Sequence, residues 1–445
     1  MDTLSVLNQK ELMIIFTYAP AGLGHLRVTD ALYHGLPKNV TPVLLGAHDE
    51  SIGQIHRITS IYAWGKSIME IVQQGLIEDI FTRTYRNWLR GHTDLLYEQI
   101  TTLLNQRIHI AKTLLVVATH FALAHQIAAI KEKLSADKQI QVILVVQVTD
   151  DSPQHMWYVP GADLTFVPSY KTREQLLNYA RQEKLPPINI KVAPYPVNPD
   201  LAKYLTADKN SQRNLQVSLT HNHPIHVLFP VSGAATQLNF VNKLTVLLKQ
   251  KSPRFQINII CRNVSYTQKF ITEMLKLSFV KLITAFHRRE IVSQYDAIYQ
   301  ETQILLEVTK PSEQAFKALL KPNQVGGSIL LFSEPIGRQE YDNLAFLERH
   351  HLIPTASEHK YLWKMAKTNK EIKPELISHA REWRGLILPL HSKDAADFIW
   401  WCFGQQLFAS MLKYRERENF DKREIDDNGV EIFWKEIADF LKTHK

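Results

Sequence analysis

Cysteine is almost missing from this chain: its 445 residues include two, Cys261 and Cys402, both in apolar or strand-like surroundings. So few cysteines exclude a disulfide-stabilised scaffold and favour a reducing compartment. Long apolar runs are missing as well, and no stretch reaches the ~18 residues that a membrane-spanning helix needs. The first apolar run is short and directly follows Lys10 and Glu11, which is not typical of a secretory signal. We therefore predict a cytoplasmic protein whose only membrane contact is peripheral, on the inner face.

A strong excess of one charge is also missing. Lys and Arg number 52 against 44 Asp and Glu, which gives a formal net charge of +8 and a pI near 9.1. This small excess of positive charge does not indicate a nucleic-acid partner. It suits phosphate-bearing substrates, an anionic membrane surface or simply a basic exterior. What is present, 45% hydrophobic and 22% charged residues, is typical of a folded globular protein of two or three domains.

The most informative stretch is a strand, a glycine turn and a helix start near the N-terminus. The apolar run Leu12–Tyr18 is followed by Gly22, Gly24 and His25, and then by an amphipathic segment. Such a turn presents backbone N–H groups at the positive end of a helix, where an anion can bind. The dinucleotide-binding fingerprint is not met, because Arg27 stands where its third glycine is required. His25 is thus a candidate base beside an anion site; the alternative is a plain turn with a solvated histidine.

Strand patterns alternate with helical ones along most of the chain, which predicts two successive parallel-sheet domains. The first spans 1–200 and includes a mostly helical segment at 51–110, and a polar linker follows at 201–224. The second spans 225–425 and also opens with a strand, a turn of small residues and a helix. Residues 426–445 are a predicted C-terminal helix that returns to the first domain.

Further strand–turn–helix junctions occur in the second domain. They are Ser232-Gly233, Lys310-Pro311-Ser312-Glu313 and Gln339-Glu340. In an open parallel sheet such junctions line the edge formed by the carboxyl ends of the strands, where phosphates and sugar hydroxyls can bind. Ordinary helix capping by Ser312 and Glu313 is the alternative.

Three histidines near the predicted linker have a spacing that is superficially like that of metal ligands. They are His221, His223 and His226, and neither a carboxylate nor a fourth ligand accompanies them. We therefore predict no metal site.

Several short patches along the chain, including the junctions described above, occur in the order found in one enzyme family. They are Gly22-x-Gly24-His25, Thr119-His120, Val148-Thr149-Asp150-Asp151 with His155-x-Trp157, Ser232-Gly233, Arg262-Asn263, Lys310-Pro311 and Gln339-Glu340-x-x-Asn343. Together they resemble the GT-B glycosyltransferases, and most closely the monogalactosyldiacylglycerol synthases and processive diacylglycerol glucosyltransferases of the family-28 type. The resemblance extends, in patches, over residues 12 to 354.

The resemblance implies an α/β fold of the GT-B type, with two Rossmann-like domains facing each other across a cleft and a C-terminal helical region. It implies a metal-independent hexosyltransferase without a cofactor. Its donor is a nucleotide diphosphate sugar, expected to be UDP-linked, and its acceptor is a hydroxyl of a lipid or membrane-associated molecule. His25 is the implied base, and Asp150 would orient it or share its role. The acceptor-side residues so implied are Gly22, Gly24, His120, His155 and Trp157. The donor-binding residues so implied are Ser232, Gly233, Arg262, Asn263, Phe286, Lys310, Pro311, Ser312, Glu313, Gln339, Glu340 and Asn343.

The chain departs from the family pattern on the donor side. A Gly-Gly pair, a Thr and a ribose-binding Glu usually follow the Lys-Pro pair, whereas this chain continues with Ser312 and Glu313. The ribose-binding position falls near Lys317, or Glu313 takes its place. Two alternatives stay open: a catalytically degenerate GT-B protein that binds a nucleotide sugar or a protein partner, and a sugar-nucleotide epimerase of the same fold.

Overall fold

The chain folds into two compact units. A computed structural model describes residues 3–18, 23–46, 75–231, 233, 235–417 and 421–444. The first unit comprises Met1–Pro199 together with Lys422–Lys445, and the second comprises Asp200–Asp421.

The first unit is built on a parallel sheet to which the described residues contribute six strands. They are β1 (Leu12–Tyr18), β2 (Val43–Gly46), β3 (Thr113–Ala118), β4 (Gln141–Gln147), β5 (Leu164–Val167) and β6 (Ile190–Val192), in the spatial order β2-β1-β3-β4-β5-β6. Its helices include α1 (Gly24–His34), α2 (Gly75–Gly91), α3 (Asp94–Asn105), α4 (Phe121–Lys138) and α5 (Tyr170–Gln182). The apolar runs of β3 and β4 are buried almost throughout, as expected for a parallel sheet that helices cover on both faces.

The C-terminal helix, Gly429–Thr443, belongs to the first unit. Trp434 in this helix is fully buried, and its Nε1 donates a hydrogen bond to the Leu32 carbonyl oxygen at 2.8 Å. The indole also meets the ring of Phe16 edge-on, with 6.1 Å between the centroids. A buried tryptophan with a satisfied N–H is an effective anchor. The apolar face of this helix is therefore covered by residues some 400 positions earlier in the chain.

The second unit has a parallel sheet of its own, again with six strands among the residues that the structure describes. They are β7 (Ile225–Pro230), β8 (Phe255–Arg262), β9 (Val280–Ala285), β10 (Leu306–Thr309), β11 (Ile329–Phe332) and β12 (Gly385–Ile387), in the spatial order β12-β11-β10-β7-β8-β9. The helices from Pro199 onward are α6 (Pro199–Ala202), α7 (Ala207–Leu215), α8 (Leu238–Lys251), α9 (Gln268–Met274), α10 (Arg288–Glu301), α11 (Arg338–Arg349), α12 (Ala356–Lys367), α13 (Pro374–His379), α14 (Ser392–Gly404) and α15 (Leu407–Leu412).

These two sheets confirm the predicted class of two Rossmann-like parallel-sheet domains. The arrangement across a cleft stays a prediction. In the helical segment predicted at 51–110, residues 75–91 and 94–105 are helical, and residues 51–74 lie outside the described part of the chain. The segment 201–224, predicted to be a linker, differs from the expectation: it contains α7 and belongs to the second unit. Its polar composition suggested a linker, but one of its polar residues, Arg213, is fully buried.

Arg213 and a second buried arginine, Arg384, hold one loop of the second unit, residues 320–328, by its backbone carbonyl oxygens. The accepting oxygens belong to Pro322, Gln324 and Val325 for Arg213, and to Leu320, Gly327 and Ser328 for Arg384. Burial lowers the pKa of both guanidinium groups to about 10. A buried charge is tolerated when hydrogen bonds replace its hydration, and here loop carbonyl oxygens accept three hydrogen bonds from each guanidinium group.

Replacing Gly327 by Ala is expected to destabilise the protein by about 1–3 kcal/mol, the usual cost of overpacking. A Cβ added at Gly327 would lie 1.8 Å from the Lys321 carbonyl oxygen, and the two arginines prevent the loop from shifting. The midpoint of urea unfolding measures the loss. Gly404→Ala is the control, because a Cβ at the end of α14 meets no atom within 4 Å. Equal losses in the two variants would contradict the proposed rigidity of this loop.

Candidate functional site

His25 lies in the first turn of α1, just beyond the carboxyl end of β1. Its half-buried imidazole is within reach of two neighbouring strand ends. Nδ1 lies 2.6 Å from the carbonyl oxygen of Thr119, which follows β3, and 3.3 Å from the hydroxyl of Thr149, which follows β4. Three adjacent strands therefore converge on this ring at the carboxyl edge of the sheet. In open α/β sheets this edge is where ligands bind.

The contact with Thr119 decides which nitrogen of His25 carries the proton. A carbonyl oxygen can only accept, so Nδ1–H donates to it, and Nε2 of the neutral ring keeps its lone pair. The backbone of His25 is held as well, because the Thr29 hydroxyl donates to its carbonyl oxygen at 2.8 Å. The hydroxyls of Thr29 and Thr119 are also 2.8 Å apart. This arrangement fixes the ring and presents Nε2 as a proton acceptor.

Two predicted acceptor-side residues, His120 and Trp157, border the His25 ring. His120 meets it edge-on with 4.7 Å between centroids, and Trp157 lies 6.4 Å away. Both side chains are buried. His120 also caps α4, since its Nδ1 accepts the Ala122 N–H at 3.3 Å. The aromatic wall beside His25 is thus held in place by helix capping and core packing.

The other predicted residues of this loop have contacts of their own. Asp150 accepts the backbone N–H of Ser152 at 3.1 Å, and the His155 ring stacks on Tyr179 with 3.9 Å between centroids. Asp151 is fully buried and accepts hydrogen bonds from two hydroxyls at the start of α5, those of Ser169 and Thr172. Asp151 therefore anchors a helix. The predicted role of Asp150 as a partner of His25 stays a prediction.

Sequence reasoning missed the threonines that position His25. Thr119 and Thr149 were identified only as members of family-like patches, and Thr29 only as part of the amphipathic segment after the glycine turn. One signal was present: Thr29 follows His25 by four residues, the spacing at which a helical threonine bonds back to a carbonyl. The contacts with Thr119 and Thr149 depend on strand order, which the sequence does not state.

In the second unit, predicted donor residues at two junctions contact each other. Lys310 Nζ, after β10, lies 2.5 Å from Glu340 Oε1 at the start of α11, with 16% and 10% of the two side chains exposed. Glu340 Oε2 accepts the Ile336 N–H at 2.7 Å. Asn343 is buried and donates to the Pro311 carbonyl oxygen at 3.1 Å. The pair offers an ammonium group for a phosphate and a carboxylate for a hydroxyl at one place.

The predicted helix start at Ser312 is a short 3-10 helix, Glu313–Leu319, and the Ser312 side chain makes no cap hydrogen bond. Lys317 in this segment is buried. Its Nζ lies 2.6 Å from Glu307 Oε2 on β10 and 2.6 Å from the Tyr299 hydroxyl. Lys317 is thus paired in the interior of the domain. Glu313, the other residue considered for the ribose-binding position, is less buried.

Two tyrosines contact the buried pair of Lys317 and Glu307. The Tyr295 hydroxyl lies 2.8 Å from Glu307 Oε2, and the Tyr299 hydroxyl donates to the same carboxylate. Lys317 Nζ also lies 3.9 Å from the centre of the Tyr299 ring. Burial, followed by the charge of Glu307, raises the pKa of Tyr299 well above its ordinary value. Tyr299 therefore stays protonated and keeps donating to Glu307 across the physiological pH range.

The remaining donor-side predictions cluster at the carboxyl ends of β7, β8 and β9. Arg262 Nε and Nη2 lie 3.4 and 3.3 Å from the Phe286 carbonyl oxygen, and the Phe286 side chain is 67% exposed. Asn263 accepts a hydrogen bond from the Gln268 amide, and the Gly233 carbonyl accepts one from Tyr266 at 3.0 Å. These junctions share one edge of the second sheet with Lys310.

The other predicted site residues are Gly22, Gly24, Ser232 and Gln339. Gly24 is the first residue of α1 and Gln339 the second residue of α11. Gly22 and Ser232 lie outside the described residues.

Within the described ranges, no three His, Cys, Asp or Glu side chains are grouped so that they could hold a metal ion. Both cysteines are buried free thiols, and burial raises the pKa of the Cys261 thiol to about 12. Such a thiol is a poor nucleophile at neutral pH. Among the helices that the structure describes, none combines the length and the apolar character of a membrane span.

No protein-family model matches the chain, and no curated protein matches it by sequence. Solved structures that are similar to it include a complex of S. aureus MnaA with UDP, at 11% identity and a TM-score of 0.48, covering 98% of this chain and 97% of that one. A UDP-GlcNAc 2-epimerase from Neisseria meningitidis bound to UDP-GlcNAc has 11% identity and a TM-score of 0.43, with 97% and 99% covered. A UDP-glucosyltransferase from Polygonum tinctorium has 12% identity and a TM-score of 0.45, also with 97% and 99% covered. The fold class of this chain follows from its own two parallel sheets.

Proposed function

We propose that this chain is a glycosyltransferase that moves a hexose from a nucleotide diphosphate sugar to a hydroxyl of an acceptor. The observation that carries the proposal is the orientation of His25, whose Nδ1–H is taken up by the Thr119 carbonyl oxygen. Nε2 is then the proton acceptor at the ligand-binding edge of the first sheet. In the transfer, the acceptor oxygen attacks the anomeric carbon, the bond from that carbon to the diphosphate breaks, and Nε2 takes the acceptor proton.

The second unit binds the nucleotide sugar in this proposal. Lys310 faces the departing diphosphate and offsets its charge, and the neighbouring Glu340 carboxylate accepts from a hydroxyl of the donor. Backbone N–H groups at the junction after β7 add further donors to the phosphates. The proposal assigns no metal to this step, and UDP is the expected nucleotide.

A lipid or membrane-associated acceptor is proposed from the surface of α2 and α3. Trp88 is 51% exposed and stacks on Tyr85, and Leu95 is 66% exposed. The Arg83 side chain, on the same helix as Trp88, is 63% exposed. Exposed aromatic and apolar side chains next to basic ones suit the interface of an anionic membrane. This surface would bring the acceptor to the protein without a membrane span.

A protein that binds a nucleotide sugar without transferring it is the second candidate. The observation that favours it is Lys317, which is buried against Glu307 near the position where the resemblance places a ribose-binding Glu. In this candidate the donor edge keeps affinity for the nucleotide, whereas His25 has no substrate proton to accept.

Two measurements on the full-length protein test these candidates. Calorimetric titration with nucleoside diphosphates identifies the nucleotide, and the matching labelled nucleotide sugar is then supplied with and without diacylglycerol in detergent micelles. Nucleotide release that depends on the acceptor is expected for the transferase. Conversion of the donor without acceptor would instead indicate an epimerase, and binding without turnover would indicate the second candidate. If no nucleoside diphosphate binds, all three functions are wrong.

A further inference from the structure

A buried arginine on helix α2 of the first unit has no carboxylate partner among the described residues. Thr82, Arg86 and Leu89 share one face of this helix, and all three are buried. Leu89 packs against Met156 and Ala122, so this face meets α4 and the 3-10 turn His155–Trp157. Arg86 is 7% exposed. In the part of the chain that the structure describes, its Nη1 has no hydrogen-bond partner and no carboxylate forms an ion pair with it.

The surroundings of Arg86 increase the positive potential. Arg90 lies one helical turn further along, and burial together with the Arg86 charge lowers its pKa. His125 on α4 is fully buried, and its ring is held to the Met156 carbonyl oxygen at 3.0 Å through Nε2. Burial, and then the charges of Arg90 and Arg86, lower the pKa of His125 to about 3. His125 is therefore neutral and does not add a charge, and the two cations Arg90 and Arg86 lie close enough to act on it.

Other unsatisfied groups lie in and beside the turn His155–Trp157, which packs against α2. Gln154 Nε2 and Trp157 Nε1, on either side of Met156, are buried donors without a hydrogen-bond partner among the described residues. The buried Thr82 hydroxyl likewise has no hydrogen-bond partner among the described residues. Buried polar atoms are normally paired, so unpaired donors on this helix face and in the turn that packs against it indicate a missing acceptor. We call Arg86, His125, Gln154 and Trp157 the Arg86 cluster.

We propose that the Arg86 cluster is a binding site for a phosphate group. Arg86 supplies the charge and a fork of N–H donors, and Gln154 and Trp157 supply further donors to the phosphate oxygens. His125 Nδ1 is unprotonated, because the proton lies on Nε2, which donates to the Met156 carbonyl. It also lacks a partner among the described residues, and as an acceptor it suits the O–H of a hydrogen phosphate. This site is distinct from the donor edge of the second unit and does not depend on the proposed transfer reaction.

Arg86→Gln and Arg83→Gln form a matched pair for the test. The two arginines are three residues apart on α2, but Arg83 is 63% exposed and pairs with Glu183 at 2.6 Å. Sodium phosphate and glycerol 3-phosphate serve as separate probes, with sodium chloride at equal ionic strength as the blank. Binding is measured by calorimetry and by the rise in melting temperature of the full-length protein.

We expect phosphate to bind the wild type and Arg83→Gln equally. It should bind Arg86→Gln about ten- to a hundredfold more weakly, because that variant lacks one charged hydrogen-bond donor. Without phosphate, Arg86→Gln should melt at the same temperature as the wild type or higher, since it removes an unpaired buried charge. Tighter binding of glycerol 3-phosphate than of phosphate would identify a phosphomonoester as the ligand. Equal phosphate affinity in Arg86→Gln, or a clear fall in its melting temperature without phosphate, would overturn the proposal. The second result would mean that Arg86 has a partner within the chain.

Discussion

Replacing His25 by Asn is expected to slow hexose transfer by about a hundred- to ten-thousandfold, the usual contribution of a general base. The Asn side-chain amide can still donate to the Thr119 carbonyl oxygen, so the start of α1 should keep its conformation. It has no basic nitrogen to take the acceptor proton. Affinity for UDP should not change, because the proposed nucleotide site is in the second unit. Transfer of labelled hexose and calorimetric UDP titration measure the two effects.

His34→Asn is the matched control for this experiment. His34 lies at the end of the same helix, is exposed, and bonds within its own turn to the Asp30 carbonyl oxygen at 2.8 Å. The same substitution there should leave the transfer rate within about twofold of the wild type, since surface changes of this kind rarely cost more than ~0.5 kcal/mol. If His25→Asn also retains most of its activity, His25 is not the base and the proposed mechanism is wrong.

Replacing Lys317 by Met is expected to destabilise the second unit by about 3–5 kcal/mol. The substitution keeps the length of the side chain but leaves the Glu307 carboxylate, which is 0% exposed, without its ammonium partner. The two tyrosine hydroxyls that also bond Glu307 cannot replace that charge. Urea unfolding followed by circular dichroism measures the loss as a lower transition midpoint.

Lys281→Met provides the same substitution at an exposed pair of the same unit. Lys281 and Glu301 lie 3.2 Å apart with 53% and 63% of their side chains exposed. The free energy of unfolding should therefore fall by only about 0–1 kcal/mol. Combining Lys317→Met with Glu307→Gln should recover more than half of the large loss, because Gln still accepts from the tyrosines but carries no charge. Equal effects of Lys317→Met and Lys281→Met would show that the buried pair is not needed for stability.

The fold was largely predictable from the order of apolar runs. The continuous apolar runs at Thr113–Ala118 and Ile140–Val148 contain the observed strands β3 and β4. Parallel strands that are buried on both faces appear as continuous apolar segments, so the sequence itself carries the signal. The polar segment 201–224 was misleading, because the buried guanidinium of Arg213 donates to carbonyl oxygens of a loop more than 100 residues away.

The candidate site was predictable in part. His25 was found because a glycine turn after a buried strand is a local pattern, and His120 and Trp157 came from the family resemblance. Their contacts with His25 were not predictable, because they join residues 95 and 132 positions apart. The same holds for the Arg86 cluster and for the pair of Lys317 and Glu307. Composition shows only that these polar residues exist, and burial decides which of them must find partners.

The amino-acid order alone determined that the chain forms two α/β domains and that a histidine follows the first strand. These features depend on side-chain periodicity and on glycine at a turn, both of which act over a few residues. Only the tertiary structure decided which nitrogen of His25 is protonated, which lysine faces Glu340 and which arginines are buried. Each of these depends on atoms brought within about 3 Å by strand order and helix packing, where hydrogen bonds and desolvation decide the outcome.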